Sequence, residues 1–292
     1  MNNNINHKTC KKCHLCISIC PAKIIEEKAD KTVDFIQKKI HTCLKCSQCM
    51  AICETQSILI DGCSYENIFN LNESVVDYEK FYDFLSHRRS VRNFKNKNIE
   101  KEKIEKIIEI LSLTPFGAKE QSVELTIINN RDIIEKALPI MSDFYNKMES
   151  WLRNPFMKFM IKKNAGIEKY HTITKHLLPR IKLGHYDIKK SGDNITRNAP
   201  ALILFHSNKL AEEHTNDAYI WLTYVMLAAN SIGLGSTIIG LVPPAINKTK
   251  ELKQLFGIPL DNEVVTSLIL GYPKYSFKKG IKRPKTKINW IE

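Results

Sequence analysis

Apolar and polar positions along the 292-residue chain change their period several times. Near the start only short apolar runs occur, Ile24-Ile25 and Ile58-Leu59-Ile60, which suit brief strands, and Asp61-Gly62 then marks a turn. Residues 64–77 are polar and mixed and read as a linker. From Tyr78 a helix is predicted, with Phe81, Phe84 and Leu85 on one face, running into Arg88-Arg89-Ser90-Val91-Arg92. A second helix is clearer: Ile104, Ile107, Ile108 and Leu111 recur at i, i+3, i+4 and i+7, and Pro115 lies beyond its end. Val123 to Ile128 reads as a strand. Residues 131–190 are largely helical in pattern, with breaks predicted at Pro139, Pro155, Gly166 and Pro179. Ala201 to Phe205 is a short buried strand, Asp217 to Ile232 an apolar helix, Ile246 to Phe256 a helix closed by Gly257, and Val264 to Leu270 a buried strand ending in Gly271-Tyr272-Pro273. Helices and strands mix without the strict alternation of a doubly wound sheet, which predicts an α+β fold for the larger part.

The length allows two domains. The predicted organisation is a small domain over 1–63, a linker over 64–77 and a larger domain over 78–292 with a basic helical insert at about 141–198. Ala218 to Pro244 carries no charge and is long enough to cross a bilayer. Asn230, Ser231, Gly233, Gly235, Ser236 and Thr237 interrupt it, and Pro243-Pro244 ends it. A buried helix, a glycine break and a short strand fit better, so no membrane insertion is predicted.

Cysteine use changes the picture of the small domain. Eight of the nine cysteines lie within the first 53 residues, in two copies of one spacing: Cys10-x2-Cys13-x2-Cys16-x3-Cys20 and Cys43-x2-Cys46-x2-Cys49-x3-Cys53. The copies are 33 residues apart, counted from Cys10 to Cys43. The opening residues lack the apolar core of a signal peptide, so a reduced, cytoplasmic protein with thiols serving metal is expected. Three cysteines at this spacing wrap one four-iron, four-sulfur cluster, and the fourth reaches the neighbouring cluster. Cys10, Cys13, Cys16 and Cys53 are therefore assigned to one cluster, and Cys43, Cys46, Cys49 and Cys20 to the other. A single tetrahedral zinc is the rival, and it would leave four of these cysteines unexplained. Residues 8–63 resemble bacterial two-cluster ferredoxins. Pro21 follows the first motif as that resemblance implies, whereas Glu54 stands in place of the second proline. Cys63 lies outside both motifs and reads as a small packed residue.

The formal net charge is +13. Residues 141–198 hold twelve Lys/Arg against five Asp/Glu. No RNA-binding aromatic motif or zinc-finger helix accompanies that excess, so a solvated lysine-rich surface is the reading and no nucleic-acid partner is expected. The same segment suits either a lid or a stabilising helical insert. Gly233-Leu234-Gly235 follows a helix and lacks a third glycine, which argues against a dinucleotide fold.

Arg88-Arg89-Ser90-Val91-Arg92 supplies three cations and a hydroxyl at a helix end, a set suited to a phosphate-bearing ligand. Extended to Asn93-Phe94, it resembles the opening motif of the FMN-dependent nitroreductase family. Thr114-Pro115-Phe116-Gly117 through Gln121, the stretch Asp217 to Gly240, and Leu270-Gly271-Tyr272-Pro273 with the basic tail to Arg283 and Trp290 resemble later segments of that family, in the same order. The resemblance spans residues 78–292. It implies a nitroreductase-like α+β domain, an FMN cofactor and a homodimer. By position, Arg88, Arg89 and Ser90 would hold the phosphate and ribityl chain, and Arg92 the pyrimidine edge. Ile239 and Gly240 would approach the ring with backbone groups, and Arg283 would close on the phosphate, with Lys279 or Lys282 as alternates. Pro115, Phe116 and Gly117 would cover the ring from the partner subunit. The family commonly has Asn where Lys119 stands and Gln-Asn where Thr223-Tyr224 stands; Lys119 is retained as a candidate flavin contact.

The reading is an FMN-dependent oxidoreductase in which two 4Fe-4S clusters relay electrons to FMN, which reduces a small planar acceptor such as a nitroaromatic or quinone-like compound. The donor is left open between reduced ferredoxin, NAD(P)H and a partner dehydrogenase. The alternative is an electron carrier or redox-complex subunit that uses FMN as a relay without a small-molecule substrate.

Overall fold

The structure is a computed structural model; it describes every residue but Met1, Ser74, 118–120 and Lys285, and the side chain of Ala165 is also outside the description. Lys119 therefore lies outside the described residues. The chain divides into two compact units, Met1–Val75 and Val76–Glu292.

The small unit is built twice from one pattern. Strand β1 (Asn4–Ile5) precedes helix α1 (Leu15–Ile19), strands β2 (Ile25–Glu27) and β3 (Val33–Phe35), helix α2 (Gln48–Ala51) and strand β4 (Ile58–Leu59). β1 pairs antiparallel with β4, and β2 with β3. The sequence repeat is also a backbone repeat. Lys12 and Lys45, His14 and Ser47, and Lys23 and Gln56 each form a pair 33 residues apart, and all six have positive φ, between 49° and 61°. Left-handed backbone at non-glycine residues is strained, and here the strain recurs at the same three places in each copy: inside the cysteine loop, at the residue before the helix, and after the helix. Ile5, Ile24, Ile25, Val33, Phe35, Met50, Ile58 and Ile60 make the core between the two halves. Tyr65 and Ile68, placed in a linker by their polar surroundings, pack against this core at the start and just past the end of a 3-10 turn, Tyr65–Asn67, in which the Ser64 hydroxyl accepts from the Glu66 N–H.

In the large unit α3 (Tyr78–His87) begins at Asp77, whose carboxylate accepts from the Lys80 N–H. α4 (Lys101–Glu109) runs into a 3-10 turn ending at Leu113. β5 (Glu124–Ile128) leads to α5 (Arg131–Arg153), capped by Asn130. Pro139 lies inside α5 and does not break it. Ile134, Ala137, Leu138, Met141, Tyr145 and Met148 form one continuous buried stripe through the proline, and burying that stripe outweighs the lost hydrogen bond. Pro155 instead sits in the first turn of α6 (Pro155–Ala165), where no amide is missed, and Gly166 separates α6 from α7 (Ile167–Thr172). A π-helical turn, Ile173–Leu177, joins α7 directly to α8 (Leu178–Lys182), so Pro179 does not break the helix there. α9 (Ile188–Ser191) closes the insert.

β6 (Ala201–Asn208), α10 (His214–Ser231), β7 (Gly235–Ile238), α11 (Val242–Lys248), α12 (Lys250–Leu255) and β8 (Asn262–Gly271) complete the fold. The helix predicted over Ile246 to Phe256 is two helices: α11 begins at the Pro243-Pro244 turn and ends at Thr249, whose extended backbone starts α12. Gly257, with φ +65°, ends α12 as expected. The four strands form an antiparallel sheet in the order β5-β6-β8-β7. β6 is buried on both faces, which is why it reads as an unbroken apolar run. Leu202 and Leu204 face the α5 side, whereas Ala201, Ile203 and Phe205 face α10 and α4.

Candidate cofactor sites

The strained loops of the small unit aim their cysteines into two cavities. One is lined by Cys10, Cys13, Cys16 and Cys53, the other by Cys20, Cys43, Cys46 and Cys49. The fourth cysteine of each motif has crossed to the other motif's cavity, because the helix turn between third and fourth cysteine carries it to the opposite side. None of the eight is in a disulfide. Burial pushes the Cys49 thiol up to about 12, with Cys20, Cys46 and Cys43 adding to the rise. Burial likewise raises Cys16, with help from Cys10 and Cys13. A buried thiol resists ionisation until a cation joins it, so this arrangement favours thiolates paired with metal. At Cys53 burial also raises the pKa, but the Ser57 amide, at 3.3 Å from Sγ, and the Thr55 hydroxyl outweigh it and lower the pKa overall. Each cavity offers four sulfurs, the ligand number of a cubane cluster, and the cavity of Cys10, Cys13, Cys16 and Cys53 adds Lys11, Lys12 and His14 to its lining. Cys63 is half-buried beside this core, with Sγ 3.9 Å from the Lys45 carbonyl.

In the large unit the arginine-rich segment leaves α3 and is stitched to the sheet edge. Ser90 bridges to Ser236 on β7, and the Val91 N–H donates to the Ser236 carbonyl at 3.0 Å. Lys95 N–H donates to Tyr272 O, and Lys274 N–H to Asn93 O. Two glycines allow this approach. A Cβ on Gly235 would sit 2.6 Å from Val91, and one on Gly271 would sit 2.7 Å from both Phe94 and Pro200. Gly235 thus serves packing of the arginine segment.

Arg88, Arg89, Ser90, Arg92 and Arg283 line one open cleft, together with Lys282, Gly280, Phe277, Ile281, Tyr82, Leu85 and Ser86. Lys279 is not among the lining residues. Arg89 stacks over Phe277 at 5.9 Å, and Arg88 lies against Met226. Five of the predicted site residues therefore meet, although Arg283 lies far along the chain from the rest. Tyr82, Leu85 and Phe277 had no signal beyond ordinary apolar periodicity.

Ile239 and Gly240 behave differently from each other. Ile239 is buried, its N–H donates to Ser267 O at 3.0 Å and its carbonyl accepts from the Ser267 hydroxyl at 2.6 Å. Its backbone is committed to the sheet. Gly240 is exposed, and nothing lies within 4 Å of where its Cβ would be. The adjacent Leu241 carbonyl accepts from the buried Tyr145 hydroxyl at 2.5 Å. Pro115, Phe116 and Gly117 are exposed and do not line the arginine cleft. The Gly117 amide instead donates to the buried Asp217 carboxylate at the start of α10, at 2.9 Å.

Comparison with known proteins decides the family. The model of the nitroreductase family matches residues 85–272. The chain belongs to the nitroreductase family. In front of that nitroreductase domain, residues 9–58 match a 4Fe-4S dicluster domain, so a 4Fe-4S domain stands at the N-terminal side. A protein of Archaeoglobus fulgidus, named for NADH dehydrogenase/NAD(P)H nitroreductase activity, is 26% identical over 197 residues, 67% of this chain and 87% of its own. Among solved structures, the nitroreductase of Bacteroides fragilis with bound FMN superposes with TM-score 0.54 at 19% identity, covering 73% of this chain and 99% of its own. An iodotyrosine deiodinase bound to FMN and 3-iodo-L-tyrosine gives TM-score 0.51 at 18% identity, covering 72% and 98%. These likenesses establish a nitroreductase-like α+β fold for the large unit.

Proposed function

We propose that this nitroreductase-family protein is an FMN-dependent oxidoreductase fed by two 4Fe-4S clusters, acting on a small planar acceptor such as a nitroaromatic or quinone-like compound. When bound, the clusters supply one-electron relay and the flavin supplies delivery of those electrons to the acceptor. The observation that carries the reading is the pairing, in one chain, of two four-cysteine cavities with an arginine cleft.

Cys10, Cys13, Cys16 and Cys53 hold one cluster, and Cys43, Cys46, Cys49 and Cys20 the other. Arg88, Arg89, Ser90 and Arg283 neutralise and hydrogen-bond the FMN phosphate, with Lys282 beside them. Arg92 places a cation at the pyrimidine edge, where negative charge gathers on reduction. Gly240 leaves the flavin face open to close backbone approach. Pro115, Phe116 and Gly117 cover the ring of the partner subunit in a homodimer.

Anaerobic purification with metal and flavin counting tests this, and about eight irons and about one FMN per chain are expected. Four irons, or no flavin band, would sink it. The crossed arrangement has its own signature. Cys20→Ala should damage the cluster held by Cys43, Cys46 and Cys49, seen as loss of one electron-paramagnetic-resonance signal that Cys43→Ala also removes.

A further inference from the structure

The two halves of the small unit repeat in backbone, so a difference between equivalent side chains is a difference between the two cysteine cavities. Cys20 and Cys53 are equivalent, 33 residues apart. The Cys53 sulfur accepts the Ser57 N–H at 3.3 Å and lies 3.6 Å from the Thr55 hydroxyl. The residues equivalent to Thr55 and Ser57 are Ala22 and Ile24, which have no hydroxyl to offer Cys20.

Thr55 is one link of a hydroxyl chain. Its oxygen lies 2.7 Å from the Ser57 hydroxyl, which lies 2.8 Å from that of Thr9. A sulfur that ligates metal has no proton and only accepts. The Thr55 proton is therefore directed at Cys53, and the Thr55 oxygen accepts from Ser57. Ser57 in turn accepts from Thr9, whose proton is shared with the Asn6 carbonyl at 3.3 Å. Each donor polarises the next, which strengthens the last bond. Ser57 is buried and Thr55 half-buried, which limits competition from water. Thr42, the equivalent of Thr9, donates to the Lys39 carbonyl at 2.8 Å.

Charge differs in the same sense. Lys11, Lys12 and His14 line the Cys53 cavity. Lys11 pairs with Glu54 at 3.0 Å and His14 faces Glu27 at 3.4 Å, so Lys12 is the cation left over among the described residues. The described lining of the Cys20 cavity holds no charged side chain. Reduction of a cluster takes one electron from the donor, which is oxidised, and adds one unit of negative charge; no bond forms or breaks. Hydrogen bonds to ligand sulfur and nearby cations stabilise that charge, whereas an uncharged apolar wall does not.

We propose that the two clusters are poised unequally: the cluster of Cys10, Cys13, Cys16 and Cys53 is reduced first and holds a single electron, and Thr55, through its hydrogen bond to Cys53, is the positioning residue that sets the difference. This rests on the two-cluster reading above and gives its relay an order. In the test, full-length holoprotein is titrated anaerobically with dithionite and followed by electron paramagnetic resonance. The signal that Cys43→Ala leaves in place should be the first to appear in wild type. Thr55→Val should move that signal alone to lower potential. The expected change is about tenfold in the electron's distribution between the clusters, the effect of one such bond, or about 59 mV for one electron. Thr55→Ser should keep the wild-type order and spacing. Ala22→Thr should raise the second signal and narrow the gap from the other side. These two variants serve if the valine variant loses its cluster.

Both signals appearing together in wild type, or in the reverse order, overturn the proposal. So does a Thr55→Val protein in which both signals stand still or both move equally. About four irons per chain in place of about eight would overturn the two-cluster reading itself, before any titration.

Discussion

At the scale of the residue, the most informative polar group outside the cleft is His206. It is buried in β6, with Nε2 3.0 Å from the Thr126 hydroxyl and Nδ1 2.9 Å from the Asn262 amide nitrogen. That amide nitrogen also donates to Glu124 at 3.0 Å, and the buried Lys253 amine caps the Asn262 carbonyl at 2.5 Å. Because Asn262 donates to Nδ1, the imidazole is neutral and carries its proton on Nε2. Burial lowers its pKa, Glu124 partly opposes that, and Lys253 adds to it. The sign follows. Below the ordinary histidine value of about 6.5 the unfolded chain takes up a proton that the folded chain resists, so stability falls as pH falls. Urea unfolding should show a free energy that declines from about pH 6.5 downward, and His206→Gln should flatten that decline relative to wild type. An identical slope in both proteins would remove His206 from the account.

At the scale of the element, α5 supports the turn after β7. Tyr145 is buried against Phe144 and Tyr186, and its hydroxyl donates to Leu241, next to Gly240. Ser267 on β8 holds Ile239 from the other side. The turn is therefore pinned at both ends while Gly240 stays exposed. Tyr145→Phe keeps the ring packing and deletes one hydrogen bond to a buried carbonyl. It should cost about 1 kcal/mol in thermal or denaturant unfolding, with the far-ultraviolet spectrum unchanged. A loss several times larger would mean that the whole insert is displaced.

At the scale of the whole molecule, each hydrophobic core falls within one unit. The small core uses residues between Ile5 and Ile68, and the two cores flanking the large sheet use residues from Phe94 onward. The arginine cleft is likewise complete within the large unit. A chain comprising residues 76–292 is therefore expected to fold by itself and retain FMN while losing all iron, measured by flavin content and a cooperative melt. A molten, flavin-free product would show that the 4Fe-4S unit is needed to hold the larger one together. Among the described residues no helix is long and apolar enough to cross a membrane, including α10.

What the sequence determined by itself is the chemistry that depends on spacing. Two copies of one cysteine pattern specify their local turns, so the crossed grouping of Cys20 and Cys53 was legible before any fold was known. The Arg88–Arg92 run, the apolar stripe of α4 and the doubly buried strand β6 were legible for the same reason, since a local period reports a local environment. The rest was decided by tertiary structure. Pro139 stays inside α5 because the sheet buries residues on both sides of it, which no local rule measures. Ile239 loses its free backbone to Ser267, and Arg283 joins Arg88 across most of the domain. Each of these outcomes depends on partners distant in sequence, and their free energies are fixed by burial and proximity that a one-dimensional pattern does not contain.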